Sequence, residues 1–416
     1  MISKPTLLIL SGLSICFVSC NKSNVKPAVL TGKNLILSAV EQEKVVTDNS
    51  FNFKLFDNLA ASNATTDNLF ISPLSVSFAM AMTSNGANGK TLTAIRNTMD
   101  FNGFTQDELN SYYNNLITNL PELDPNTTLK IANSIWYKNG FDVLPAFIQT
   151  NSTSYNAKIQ SLDFGLPSAA GTINNWVSAQ TDGKIPTIVN NIPSNEVMYL
   201  INALYFKSSW KESFDPKQTE PAPFYLTNGT QVSAQFMSAD NDMNTYADNH
   251  VTVVEMPYSN SKYSMVIIEP KTGTTLNSVI AGLDSAQWQT WMSGLIANKQ
   301  PINMPKFTFS YGINLNSALI SLGMGVAFSD SADFSLINNQ YPLQISDVEH
   351  KAFVAVDESG TEAAAATSIG ITYSAVVASP PAIVINHPFI FAIRQMSSGL
   401  ILFTGIVNNP LSSGSN

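Results

Sequence analysis

Cysteine is almost missing from this chain: its 416 residues hold two, Cys16 and Cys20. The rest of the molecule therefore has neither a disulfide framework nor a cysteine-ligated metal centre. Histidine is scarce as well, with His250, His350 and His387, so a mechanism needing an imidazole has three candidates. None of them falls in a His-Glu-x-x-His zinc pair, and no Gly-x-Ser-x-Gly elbow is present. Hydrolase chemistry is not expected, and the chain is not read as an enzyme. Charged residues make up only 12%, with 21 basic against 30 acidic. Without a basic run the chain lacks the footprint of a nucleic-acid binder or of a site for a heparin-like cofactor. No cofactor is expected. The glycines of Gly86-Ala87-Asn88-Gly89-Lys90-Thr91 are wrongly spaced for a phosphate loop. The apolar run Thr6–Val18 is shorter than the about 20 residues a membrane-spanning helix needs.

That run follows Lys4 and ends in Phe17-Val18-Ser19-Cys20, which fits the core of a signal peptide. A small residue before a cysteine, after an apolar run, resembles the bacterial lipoprotein lipobox, with Phe17 where leucine is usual. The resemblance implies a signal peptide over residues 1–19 and a lipid on Cys20. It also implies a tether over 20–44 that holds an exported chain on a bacterial, outer, membrane, facing the periplasm or the surface. An ordinary secretory signal that contains cysteines is the alternative.

From there to a short tail at 411–416 the chain shows no internal repeat and no low-complexity break. At 44% hydrophobic it can fill a large core. Ser72 and Pro73 predict a capped helix start, and Asn85-Gly86 its stop. Ile131–Tyr137, Tyr199–Lys207, Val251–Pro257, Tyr263–Glu269, Phe389–Arg394 and Leu400–Val407 read as strands. Helices dominate the first half and strands the second. This predicts an α+β domain over 45–410 built on large, mostly antiparallel sheets. Ser412–Ser415 reads as frayed.

The most informative stretch follows the strand-like Ala352–Val356. It is Asp357-Glu358-Ser359-Gly360-Thr361-Glu362, then Ala363, Ala364, Ala365, Ala366 and Thr367. Four alanines favour helix, but the flanks are turn-like and the segment is short for an isolated helix. As a strand, Thr361, Ala363, Ala365 and Thr367 share one face, none of them charged or bulky, and Glu362 takes the other. This stretch resembles the hinge of the serpin reactive loop. Further segments resemble serpins in order: Asn68–Ser75, Asn175–Val177 with Thr181–Ile185, Leu200–Lys207 with Trp210 and Phe214–Pro216, Met304–Phe307, Val348–Ala352, Asn386–Phe391 and Phe403–Pro410.

The resemblance implies a serpin fold of three sheets and about nine helices, with an exposed reactive-centre loop. It implies an irreversible inhibitor of serine endopeptidases that traps the acyl-enzyme by inserting its cut loop into the central sheet. A non-inhibitory substrate or binding protein on the same scaffold is the alternative. It places Ser72, Ser75, Asn202 and His350 in a buried polar shutter beneath the opening strands, Ser72 also being a helix cap. Trp210 stands at the breach where the loop enters, or is an ordinary core aromatic. Counting from the hinge puts the reactive bond at Ser374-Ala375, with Tyr373-Ser374 and Val376-Val377 as alternatives. Counting back from Asn386-His387-Pro388-Phe389 gives Val377-Ala378. The window has no Arg or Lys, so elastase-, subtilisin- or chymotrypsin-like enzymes are the expected partners, with papain-like cysteine proteases a further class. A monomer is expected, with no nucleic acid and no membrane contact except through the lipid.

Overall fold

The computed structural model describes Met1 and residues 32–62, 67–362 and 381–415. The chain divides into two units, Met1–Thr31 and Gly32–Asn416. The elements of the second unit begin with α1 (Ala39–Ser62), β1 (Leu69–Ile71), α2 (Pro73–Ser84), α3 (Gly89–Thr98), α4 (Gln106–Asn119), β2 (Thr127–Lys138), α5 (Pro145–Tyr155) and β3 (Lys158–Leu162). Then come α6 (Ala169–Gln180), β4 (Met198–Ser209), β5 (Glu220–Tyr225), β6 (Gln231–Ala247), β7 (Val251–Pro257), β8 (Tyr263–Pro270), α7 (Leu276–Ala281) and α8 (Ser285–Ser293). The rest are β9 (Ile296–Pro305), β10 (Phe307–Asn314), α9 (Asn316–Leu319), β11 (Glu349–Asp357), β12 (Gly360–Thr361), β13 (Ile383–Val384), β14 (Phe389–Gln395), β15 (Ile401–Val407) and β16 (Gly414–Ser415).

Two sheets organise them. One runs β1-β15-β14-β8-β7-β6-β9-β13, with β5 branching from β6. A third sheet is seen in part where β5 and β9 gather on the 17-residue β6. The other runs β16-β10-β11-β12-β4-β2-β3. Pairing is antiparallel except for β2–β3, β9–β13 and β10–β16.

Helix α2 sits between the sheets and is buried at every residue but Ala79. Ser72 caps it by accepting the Ser75 N–H, and Pro73 fills the first position, where no N–H is needed. Beside it Phe70 stacks on Phe391 and Phe403 and meets Phe309 edge-on. These rings join the two sheets through one apolar core.

Two boundaries differ from the sequence reading. Helix α1 takes in residues 39–44 of the expected tether, because Lys44 is buried against Asp48 of the next turn, 2.6 Å away. The expected frayed tail instead pairs with β10. Gly414, at φ +86°, lies where any Cβ would strike the Ser310 carbonyl, so glycine alone permits that approach.

Candidate functional site

The site is built where β11 ends. The Asp357 carboxylate accepts the Ser359 N–H at 2.8 Å and the Gly360 N–H at 3.3 Å, which turns the chain back on itself. Gly360 and Thr361 then run antiparallel to β11 on one side and to β4 on the other. Strands β4 and β11 are therefore parallel to each other, with the two-residue β12 between their C-terminal ends. A Cβ on Gly360 would strike the Ser208 carbonyl and lie 2.6 Å from the Ser209 Cα, and the residue's φ is +152°.

Residues 357–361 are each held by a neighbour. Trp210 donates its Nε1–H to the Asp357 carbonyl and its backbone N–H to the Ser359 carbonyl, both at 2.9 Å. Its ring stacks on Tyr258 at 4.6 Å and 7°, and the Tyr258 hydroxyl pairs with Thr361 Oγ1 at 2.5 Å. The Glu358 carboxylate accepts from Thr219 at 2.6 Å and pairs with Lys306 at 2.8 Å. Burial works to raise its pKa, but the bonds from Lys306 and Thr219 prevail and hold it below the usual carboxylate range. Thr361 thus faces Tyr258 in the core, whereas Glu362 faces Lys184 on the other side of the sheet, 3.6 Å away.

Further down the same two strands lies a polar cluster. The Ser72 N–H donates to His350 Nε2 at 3.1 Å, so that nitrogen is unprotonated and Nδ1 carries the proton. The Ser72 hydroxyl donates to the Leu402 carbonyl at 2.8 Å, and the Ser75 hydroxyl to the Asn202 carbonyl at 3.4 Å. Burial pushes the His350 pKa down to about 4, so the ring is neutral near pH 7. The first turn of α2 thereby ties β11, through His350, to β4, through Asn202. The Asn202 side chain does not join this cluster: its amide donates to Asn133 Oδ1 at 2.7 Å, and Asn133 donates to the Tyr155 carbonyl at 2.8 Å. A cavity of ≈ 370 Å³ opens at the N-terminal ends of β4 and β11, lined by Ser75, Asn202 and His350 among others.

Glu358, Gly360, Thr361, Glu362 and Trp210 are thus brought together at one end of the strand pair. Ser72, Ser75, His350 and the Asn202 backbone meet below them. Ala363, Ala364, Ala365, Ala366, Tyr373, Ser374, Ala375, Val376, Val377 and Cys20 lie outside the described residues. His250 and His387 stand apart from the site: the His250 carbonyl accepts the Lys271 N–H in a turn, and His387 stacks on Tyr225. Among the described residues no group of three or more His, Cys, Asp or Glu could hold a metal, and no helix is long and apolar enough to cross a membrane. Sequence reasoning missed Tyr258, Thr219 and Lys184. They come from a hairpin, a short turn and the connection after α6, and no periodic pattern marks them.

The family model described as "Serpin (serine protease inhibitor)" matches residues 46–410. An uncharacterized serpin-like protein of Thermococcus kodakarensis is 33% identical over 89% of this chain and 87% of its own length. The leukocyte elastase inhibitor of Homo sapiens is 34% identical over 86% of this chain and 97% of its own length. Among solved structures, the thermophilic serpin tengpin in its native state superposes with a TM-score of 0.81 at 33% identity, over 91% of this chain and 96% of that one. Human thyroxine-binding globulin, solved as a complex with its ligand, does so with a TM-score of 0.82 at 30% identity, over 90% and 100%.

Proposed function

The chain belongs to the serpin family, and from that premise we propose that it is an irreversible suicide-substrate inhibitor of serine endopeptidases. The observation that carries the reading is the position of Gly360 and Thr361, already paired with both β4 and β11. In the proposed reaction the protease serine oxygen attacks the Ser374 carbonyl carbon and forms an ester. The Ser374–Ala375 peptide bond breaks, and the Ala375 nitrogen leaves with a proton. The ester then awaits water. Meanwhile the freed segment extends β12 beyond Thr361. Each added residue sits antiparallel to both neighbours, a stronger pairing than a parallel contact of β4 with β11. Small residues at Ala363 and Ala365 enter the buried face with no charge to desolvate. Trapping results when insertion outruns hydrolysis, so the uncut form persists by a kinetic barrier.

The protease class follows from the window 373–378, which suits elastase-, subtilisin- or chymotrypsin-like pockets. The name of the human leukocyte elastase inhibitor is in keeping with the first of these. Papain-like cysteine proteases are a further target class. We further propose a lipid on Cys20 as the anchor to a bacterial envelope. A Cys20→Ala form that stays membrane-bound would remove that element.

The test mixes the domain with one protease of each class and runs denaturing gels, with mass spectrometry of the released peptide. A band that survives denaturation supports trapping, and the peptide mass gives the cut bond. Complete cleavage without such a band in all mixtures moves the chain to the non-inhibitory reading. That reading is favoured by the likeness to thyroxine-binding globulin, a protein solved with a small molecule bound to it.

A further inference from the structure

Glu362, the residue after β12, is held under three constraints. The Glu362 N–H still donates to the Ala355 carbonyl at 2.9 Å, which fixes its register next to Thr361. Its φ is +51°, a left-handed conformation that a glutamate adopts at a cost. Its side chain is 4% exposed, and neither carboxyl oxygen has a hydrogen-bond partner of acceptable geometry. A buried carboxylate in that condition is unfavourable.

Charged and titratable groups surround it and offset its burial only in part. Strand β4 presents Tyr205 and Lys207, and the connection after α6 presents Lys184. The Lys184 ammonium lies 3.6 Å from Oε1, is itself 40% exposed, and also sits over the Phe353 ring of β11 at 4.6 Å. Asp182 approaches the Tyr205 hydroxyl at 3.5 Å and is paired with Lys130 of β2 at 3.6 Å. On β11, Asp357 is engaged in the hinge turn, and next to it Glu358 is engaged with Lys306.

We propose that Glu362 makes the hinge a proton-controlled device: protonated, it holds Gly360 and Thr361 between β4 and β11, and ionised, it drives them out. The proposal rests on reading 358–362 as the loop hinge. Burial is the main influence on the carboxyl and pushes its pKa up, against the pull of Tyr205, Lys184 and Lys207. A released hinge returns the group to water and to its ordinary pKa of about 4.3. The inserted hinge therefore binds the proton more tightly. Its advantage is full at pH below the ordinary value and is lost as pH rises through the raised one. Each unit between the two pKa values is about a tenfold change in the ratio of inserted to released hinge.

Trp210 supplies the readout, since it bonds Asp357 and Ser359 and stacks on the tyrosine that holds Thr361. The uncut protein is titrated by fluorescence, with the Trp210→Phe form subtracted, while hydrogen exchange follows the amides of residues 360 and 362. The expected result is a transition with its midpoint above the ordinary carboxylate range and faster exchange on its alkaline side. Glu362→Gln should hold the acid-side signal at every pH, and Lys184→Met should move the midpoint upward. Thr361→Arg, which cannot fit beside Tyr258, gives the signal of a released hinge. A Glu362→Gln protein with the wild-type transition overturns the proposal. So does a wild-type signal that stays flat while Thr361→Arg shifts it. No protease is present, so failure here leaves the proposed inhibition standing, and a chain that is cut without trapping still tests the switch.

Discussion

Gly360 is the position where one methyl group would be felt first. A Cβ there meets the backbone of Ser208 and Ser209 in β4, and backbone cannot yield as a flexible side chain can. Gly360→Ala is expected to keep the protein folded and cleavable but to lose most covalent complex, read as the ratio of complex to cut chain on denaturing gels. An undiminished ratio would show that insertion does not pass through this geometry. Two other residues set opposing pH dependences. Burial lowers the His350 pKa from 6.5 to about 4. The unfolded chain thus binds the extra proton between those values, and stability falls as pH drops through them, by about 3 kcal/mol in all. Burial raises the Glu269 pKa from 4.5 to about 7, although it accepts the Asn386 N–H at 3.1 Å. Its contribution is greatest below pH 4.5 and is lost as pH rises to 7. The two slopes offset each other across the shared window. Glu269→Gln should unmask the His350 slope, seen as a urea midpoint that climbs from about pH 4 to 6.5 more steeply than in the parent protein.

At the scale of elements, two charge clusters, the first of them buried, join parts that a sequence pattern cannot join. Helix α1 is fastened to α4 through Asp48, which binds Lys44 at 2.6 Å and accepts from Tyr112 at 2.8 Å and Tyr113 at 3.0 Å. Phe101 lies under the same ammonium at 4.8 Å. Lys44→Ala leaves Asp48 buried without its cation and should cost about 3–5 kcal/mol, measured by urea unfolding. Lys44→Met with Asp48→Leu should recover most of that loss, because a buried pair adds little over an apolar isostere. The second cluster fastens the residue after β11 to the junction of β9 and β10 and to the turn before β5, through Glu358 with Lys306 and Thr219. Lys306 is 38% exposed, so Lys306→Ala removes a partly solvent-screened ion pair worth about 1 kcal/mol or less and should loosen the ends of β4 and β11. Faster loss of monomer on warming, followed by size-exclusion chromatography, is the expected outcome. Unchanged monomer lifetime would place the restraint elsewhere, with Trp210 and Tyr258 the next contacts to test.

On the scale of the whole molecule, a two-residue strand separates two long ones in the same sheet. The cavity at the far ends of those strands and the polar cluster above it lie along the same pair of strands. A sheet organised this way gains pairing on both sides of any strand that fills it. If the proposed function holds, cutting the loop should raise the unfolding midpoint rather than lower it, since the cut end is free to extend β12. The measurement is thermal unfolding of intact and cut chain at one pH. Equal midpoints would mean that cleavage releases no strand to the sheet, and the kinetic-trap reading would lose its driving force.

The sequence by itself determined the family, the start of α2 and several of the strands. The Ser72-Pro73 start of α2, the strand Val251–Pro257 and the hairpin after it are local signals, carried by residues that neighbour one another in the chain. It also set Thr361 and Glu362 on opposite faces, because alternation along a strand does so whatever the register. Tertiary structure alone decided what those faces meet. Thr361 finds Tyr258 across 103 residues, Glu358 finds Lys306, and the Asn202 amide turns to Asn133 rather than to His350. It also decided that the C-terminal serine–glycine stretch pairs with β10 instead of fraying. Contacts between segments so far apart depend on sheet register and on which helix covers which strand. No period of two or 3.6 residues records either, so the burial of Glu362 could be found only in the folded chain.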